Sequence, residues 1–179
     1  MGEKLEPTLQ KPIRIIAASA IALNLLKLRE LNKFPFRKQT HFATKSSGVK
    51  TAPAFQNPHN YIEGTVDPHI WLDPLNAIIL VKKITQVLSE ADPRNASSYQ
   101  ARSVSLRKKL LALTQRVNNN LMNVKNVQLL FFHDAYQYFE KRFRLPNASV
   151  MFVSPEAIPS AARVRKIRKV ILGKGINCV

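Results

Sequence analysis

Short apolar runs alternate with helical patterns over the last third of the chain, and this order constrains the fold most strongly. Residues 127–132, 149–153 and 176–179 have the length and composition of strands. Between them lie two segments with helical spacing, at about 134–143 and 160–174. Strands that alternate with helices pair in parallel within a layered sheet. The sequence therefore predicts the α/β class.

Two further helices are predicted upstream of these strands. Asp73 followed by Pro74 is typical of a helix start, because Asp caps free backbone N–H groups and Pro suits the first turn. A second helix starts near Asn95 and runs for roughly 28 residues, or about 42 Å at 1.5 Å per residue. A helix of this length can span a domain and join two lobes. Apolar residues recur along one face of each helix, at Leu80, Ile84, Val87, Leu88 and Ala91 and then at Tyr99, Leu106, Leu110, Leu113, Val117, Leu121 and Val124.

The first 66 residues give weaker patterns. Residues 4–18 have apolar residues at helical spacing, and the apolar run at 19–28 predicts a buried strand. Residues 32–66 contain several Pro, Ser and Gly and no sustained period, which predicts a long loop.

Two histidines occupy positions where a side chain can face a cleft. His133 follows the apolar run at 127–132, and ligands of open α/β sheets bind outside the carboxyl ends of strands. His69 follows Pro68. The neighbouring prolines favour extended backbone, which fixes the direction of the segment. Imidazole is the commonest protein ligand for zinc. For each residue, a structural histidine without a ligand stands as the alternative.

Other candidate metal donors are weaker. Asp67, Asp73 and Asp134 could offer carboxylate oxygens, but helix capping explains Asp73 and Asp134 fully, so none is assigned. His41 and His59 lie in the predicted loop, where solvated side chains are the ordinary interpretation. Tetrahedral zinc takes four donors, or three and a water molecule, so two histidines alone make an incomplete site.

Composition excludes some classes of function and adds a rival. The single cysteine, Cys178, which is expected to be buried at the start of a strand, excludes a zinc site made of several cysteines. No Gly-rich phosphate loop or nucleophile motif is present, so we predict no catalytic residues and no enzyme.

The net charge of +17 and the pI near 10.4 are typical of proteins that bind nucleic acid or anionic surfaces. The densest basic cluster lies on one predicted helix and lacks the interleaved aromatic residues that stack on bases. A solvated basic face is therefore the simpler interpretation of that cluster, which comprises Arg163, Arg165, Lys166, Arg168 and Lys169.

Several motifs in one order resemble a known family. They are Asp-Pro-His-Ile-Trp-Leu-Asp-Pro at residues 67–74, the long helix, His-Asp-Ala-Tyr-Gln-Tyr-Phe-Glu at 133–140, Ser-Pro-Glu-Ala-Ile-Pro at 154–159, and the final Asn-Cys-Val. Over residues 65–179 the chain resembles the periplasmic zinc-binding solute receptors of zinc ABC transporters. The histidine at position 133 favours the zinc branch of that family over the manganese branch.

The resemblance implies an incomplete two-lobed metal-receptor fold, with parallel sheets joined by one long helix. Residues 1–66 would be the remnant of the N-terminal lobe with a variable loop, and 67–94 the lobe helix carrying the first motif. Residues 95–125 would be the connecting helix, and 126–179 a partial C-terminal α/β lobe.

The resemblance also implies a site and partners. His69 and His133 match two histidine ligands of the family, whose other ligands are expected upstream of Met1 and downstream of Val179. We therefore expect weak or incomplete binding of Zn²⁺. The implied partner is an ABC permease in the inner membrane, with no nucleic acid and a monomeric receptor.

The resemblance places the protein in the periplasm. The chain as written shows no signal peptide, which predicts a cytoplasmic location if it is expressed in that form. Two alternatives to the receptor function stand: a basic protein that binds nucleic acid or an anionic surface, and a truncated remnant without function.

Overall fold

The computed structural model describes Ile15 and residues 20–37, 66–124, 126–152, 161–176 and 178. The chain divides into two compact units. The first is formed by Met1–Phe34 and Val66–Val117, and the second by Pro35–Thr65 and Asn118–Val179. Within the described ranges, every helix is too short or too polar to cross a membrane. Of the predicted helix at 4–18, Ile15 is described and is helical; its other residues and most of the predicted loop at 32–66 lie outside these ranges.

Helix α1 of the first unit begins where the sequence predicts. It spans Pro74–Ala91, and the Asp73 carboxylate accepts a hydrogen bond from the backbone N–H of Leu75 at 2.9 Å. Pro74 occupies the first turn, where no donor to a preceding carbonyl is needed. A short 3-10 helix, Ile70–Leu72, leads into this cap.

Helix α2, Ala96–Asn120, is the predicted long helix and has 25 residues. The apolar stripes of α1 and α2 are less buried than their spacing indicates: Leu80 is buried, whereas Ile84, Leu88 and Leu106 are exposed. Periodicity identifies which face of a helix is apolar, but it does not say what covers that face.

The strand predicted at 19–28 is wrong. Its described residues contain a 3-10 helix, Leu25–Lys27, and otherwise irregular backbone. Side chains satisfy this backbone instead of a neighbouring strand: the Lys33 ammonium donates to the carbonyl oxygens of Leu26 and Leu28 at 3.3 and 2.9 Å. The segment that follows is held to α1 by the buried Asn76, which exchanges two hydrogen bonds with the backbone of Asn32.

The second unit contains the predicted parallel sheet. Strands β1, Leu130–His133, and β2, Ser149–Phe152, pair in parallel with Leu130 opposite Ser149 and His133 opposite Phe152. Helix α3, Gln137–Phe143, connects the two strands, and helix α4, Ala161–Lys174, follows β2. Cys178 forms an isolated parallel bridge with Leu129. The α/β class is therefore confirmed, and of the third predicted strand, 176–179, the described residues show this one bridge.

A small apolar cluster lies in the second unit. Leu130 of β1 packs with Ile167 of α4 and with Ile176, and Val170 and Ile171 contact this cluster. Helix α4 ends at Lys174, as predicted, and Gly175 follows with a φ of 61°, the left-handed conformation that suits glycine. Cys178 is exposed, against the expectation of a buried residue, because it lies on a single bridge and not within a covered strand.

Helix α3 corrects one prediction. It begins at Gln137 with Tyr136 in the cap position, so Asp134 is not its cap. Tyr136 is exposed. Tyr138 and Phe143 are the aromatic side chains that are fully buried there. The short turn between β1 and α3 places the helix start three residues later than the predicted position 134.

Candidate functional site

His69 is oriented by a carboxylate two residues earlier in the chain. Oδ1 of Asp67 lies 2.7 Å from Nδ1 of the His69 ring and also accepts the backbone N–H of His69 at 3.0 Å. This contact assigns the ring proton to Nδ1, so the ring lone pair of the neutral imidazole is on Nε2. A histidine that binds metal through one nitrogen commonly donates its other N–H to a carboxylate, which fixes the ring and raises its basicity.

The segment around His69 is held firmly by the first unit. Asp67 is buried, and its backbone N–H donates to the carbonyl oxygen of Phe34 at 2.9 Å. The His69 side chain is 16% exposed, so it reaches the surface of the unit without being fully solvated. Its ring centroid lies 5.5 Å from that of Trp71, which is itself exposed. The extended backbone predicted from Pro68 is wrong at His69, whose φ and ψ are −73° and 33°. The chain turns here, since the N–H of Ile70 donates to the carbonyl oxygen of Pro68 at 2.7 Å, and a partly shielded imidazole lies beside an aromatic ring.

His133 is the last residue of β1, as predicted. It lies at the carboxyl end of a parallel strand, half buried, opposite the last residue of β2. Its carbonyl oxygen accepts the backbone N–H of Ala135 at 2.9 Å, which turns the chain sharply after the strand. The next residue, Asp134, directs its carboxylate to the Arg37 guanidinium.

The structure gives each candidate aspartate a partner within its own unit. Asp73 caps α1, Asp67 binds His69, and Asp134 binds Arg37. Within the described part of the chain, no three His, Cys, Asp or Glu side chains gather as a metal site. His69 belongs to the first unit and His133 to the second, so their joint role as metal ligands stays a prediction. His41 and His59 lie outside the described residues.

Sequence reasoning missed two residues near His133. Arg37 lies within the segment predicted as a loop, and Glu140 belongs to the motif that begins with His133. Glu140 is fully buried, and Nη1 of Arg37 lies 2.5 Å from its Oε2. Burial raises the pKa of the Glu140 carboxyl above its ordinary value, and attraction to Arg37 opposes that rise. A charged residue in the middle of a helix with aromatic neighbours was the available signal for a buried ion pair.

The chain matches a known protein family over its whole length. The family described as zinc-uptake complex component A, periplasmic, matches residues 1–179 of this chain. The chain belongs to this family. The resemblance read from the motifs is thus confirmed, and the family is one of solute receptors.

A curated relative supports the same assignment. The chain is 34% identical over 196 residues to the high-affinity zinc uptake system protein ZnuA of Brucella abortus, an alignment that covers 99% of this chain and 59% of that protein. The chain therefore spans 59% of the length of this relative.

Solved structures show the same fold. A crystal structure of ZnuA superposes with a TM-score of 0.70 at 18% identity and covers 97% of this chain and 57% of that one. A Zn(II)-bound AdcAII variant of Streptococcus pneumoniae gives a TM-score of 0.64 at 22% identity and covers 98% of this chain and 58% of that one. The chain thus has part of a metal-receptor fold, as the sequence predicts.

Proposed function

We propose that this chain is the metal-holding part of a periplasmic zinc receptor, in which His69 and His133 donate imidazole nitrogens to the zinc that is carried. Membership of the zinc-uptake family supports zinc as the cargo. The receptor would release its zinc to an ABC permease in the inner membrane, acting as a monomeric carrier and not as an enzyme.

The contact between Asp67 and His69 carries this proposal. Burying a carboxylate is costly unless it is hydrogen-bonded, and the buried Asp67 is bonded to both the backbone and the ring of one histidine. The arrangement restrains the ring and leaves its lone pair on Nε2, which are two properties that suit a zinc ligand. A solvent-exposed loop histidine without a ligand would not need a buried carboxylate to orient its ring.

The donor chemistry sets the expected strength of binding. Zinc favours four donors in a tetrahedron, and two imidazoles leave two positions for water or for further donors. Each missing protein donor lowers the affinity, and every tenfold loss corresponds to about 1.4 kcal/mol. We therefore expect weak binding by the 179-residue chain.

Calorimetric titration with zinc tests the proposal, with a variant that loses two other histidines as the control. The test protein is the double variant His69→Ala/His133→Ala, and the control is His41→Ala/His59→Ala. We expect the unmodified chain and the control to bind zinc with the same affinity and the test protein to lose it. Equal affinities in all three proteins would contradict the proposal, as would a flat titration of the unmodified chain at millimolar zinc.

A further inference from the structure

Arg37 binds two carboxylates with one guanidinium group. Its Nε lies 3.0 and 3.3 Å from the two carboxylate oxygens of Asp134, and its Nη2 also donates to Oδ1 of Asp134. Its Nη1 donates to Oε2 of Glu140 at 2.5 Å. The planar fork of arginine suits such an arrangement, which the single ammonium of lysine cannot reproduce.

The two carboxylates belong to parts of the second unit that meet at the end of β1. Asp134 follows His133 directly, and Glu140 lies on α3. The second oxygen of Glu140 accepts the backbone N–H of Ala148, the residue before β2, at 3.3 Å. Arg37 thus links the turn after β1, the helix that follows it, and the start of the neighbouring strand.

The backbone beside Arg37 is anchored to the same helix. The Gln137 side-chain amide donates to the carbonyl oxygen of Pro35 at 3.0 Å, and Gln137 is buried. The side chains of Arg37 and Asp134 are each only 19% exposed, so solvent screens their attraction weakly. Asp134 is therefore held by Arg37, which is itself held in place by Glu140 and by the bond from Gln137 to Pro35.

We propose that Arg37 is a positioning residue for His133: by holding the carboxylate of the adjacent Asp134, it sets the direction in which the imidazole leaves the end of β1. The link to zinc rests on the proposed function, in which His133 is a ligand. The positioning itself is a property of the metal-free chain.

Nuclear magnetic resonance of the ¹⁵N-labelled histidine rings tests the positioning without metal. Each of the four histidines is assigned with its own Ala variant. We compare Arg37→Lys with Arg165→Lys, a matched change at an exposed position of α4. In Arg37→Lys the His133 ring signals should shift or broaden while those of His69 stay unchanged, and Arg165→Lys should alter neither. His133 signals that coincide with those of the unmodified chain would overturn the proposal, whatever the result with zinc.

A zinc titration then separates positioning from general stability. Arg37→Lys should weaken zinc binding by about tenfold at most, since loss of a direct partner of a ligand costs about 10–100-fold and Arg37 acts through the residue next to His133. In a His133→Ala background the same change should have no further effect, since Arg37 acts through His133. An equal loss in both backgrounds would overturn the proposal.

A second variant covers the case in which Arg37→Lys does not fold. Asp134→Asn keeps the buried pair between Arg37 and Glu140 and weakens only the contact next to His133. It should move the His133 ring signals in the same way, and unchanged signals would contradict the proposal. If the unmodified chain binds no zinc, the proposed function fails, whereas the ring signals still decide the role of Arg37.

Discussion

At the scale of single residues, the most informative contact joins side chains two positions apart. The sequence marks Asp67 as a candidate oxygen donor, but the structure makes it the partner of His69. Whether Asp67 binds a metal or orients His69 depends on the turn between the two residues. In an extended strand the same two side chains would lie on one face, but the ring would not meet the carboxylate. A short sequence separation therefore does not by itself reveal whether a carboxylate binds a metal or orients a histidine.

Substitution of Asp67 by Asn tests its orienting role. An amide oxygen still accepts a hydrogen bond but carries no charge, so its bond to the His69 ring is weaker and the ring is less firmly oriented. We expect the zinc affinity to fall roughly 10-fold, and at most about 100-fold. The matched control is Asp73→Asn, because Asn also caps helices well and should leave both α1 and the zinc affinity unchanged. Calorimetry measures both, and equal affinities for the two variants would refute the orienting role.

Arg37 also sets how the stability of the chain responds to pH. Burial already raises the pKa of Glu140, and loss of the Arg37 charge raises it further. A carboxyl group whose pKa is higher in the folded chain lowers stability above its unfolded pKa of about 4.3, and that cost disappears below it. Removing one partner of a buried ion pair costs about 3–5 kcal/mol.

We therefore predict that Arg37→Met lowers the free energy of unfolding by roughly 3 kcal/mol at neutral pH and by much less near pH 4. Urea unfolding of the variant and of the unmodified chain at both pH values measures the difference. The control is Arg165→Met, which removes the same charge from an exposed position and should show no such dependence. If the loss in the free energy of unfolding is the same at both pH values, the loss does not come from an unpaired Glu140 carboxylate.

At the scale of elements, local chemistry predicts the ends of helices better than it predicts the burial of their faces. The start of α1 follows from Asp73 and Pro74, and the end of α4 follows from Gly175, because caps involve only neighbouring residues. The apolar run at 19–28 has no such local signal. Whether it becomes a strand depends on a partner strand elsewhere, and in the structure side chains such as Lys33 satisfy its backbone instead.

The two glycines at the end of α4 give an internal comparison. Gly175 has a φ of 61°, and Gly173 is helical. Among the described residues, a Cβ at either position would have no neighbour within 4 Å. Gly175→Ala should therefore destabilise the chain by about 1 kcal/mol through backbone strain alone. Gly173→Ala should stabilise it by about 0.5–1 kcal/mol through helix propensity. Thermal unfolding measures both, and shifts of the same sign would contradict this account.

At the scale of the whole molecule, the sequence predicts the parallel α/β order and the family, but not the closure of a metal site. Each candidate histidine can be placed at the end or edge of an element from local pattern, since prolines, caps and strand length are local. Bringing His69 and His133 to one zinc ion depends on long-range packing, which no single motif encodes. The missed Arg37 has the same cause, because its partners lie about a hundred positions away, at separations of 97 and 103.

The charge of +17 gives a prediction that separates a zinc receptor from a nucleic-acid binder. A positive protein repels Zn²⁺, and salt screens this repulsion as the Debye length falls from about 30 Å at 0.01 M to about 8 Å at 0.15 M. The zinc affinity should therefore rise several-fold with added salt.

Binding to DNA should respond in the opposite direction, because salt opposes the release of counterions from the phosphates. The chain is titrated with zinc and with duplex DNA at a series of sodium nitrate concentrations, because nitrate binds zinc weakly. The two slopes of affinity against salt concentration are then compared. A zinc affinity that falls with salt would mean that the carboxylates near the histidines outweigh the net charge. Tight DNA binding with a steep negative slope would favour the rival function, since dispersed basic side chains would then be acting together on phosphate.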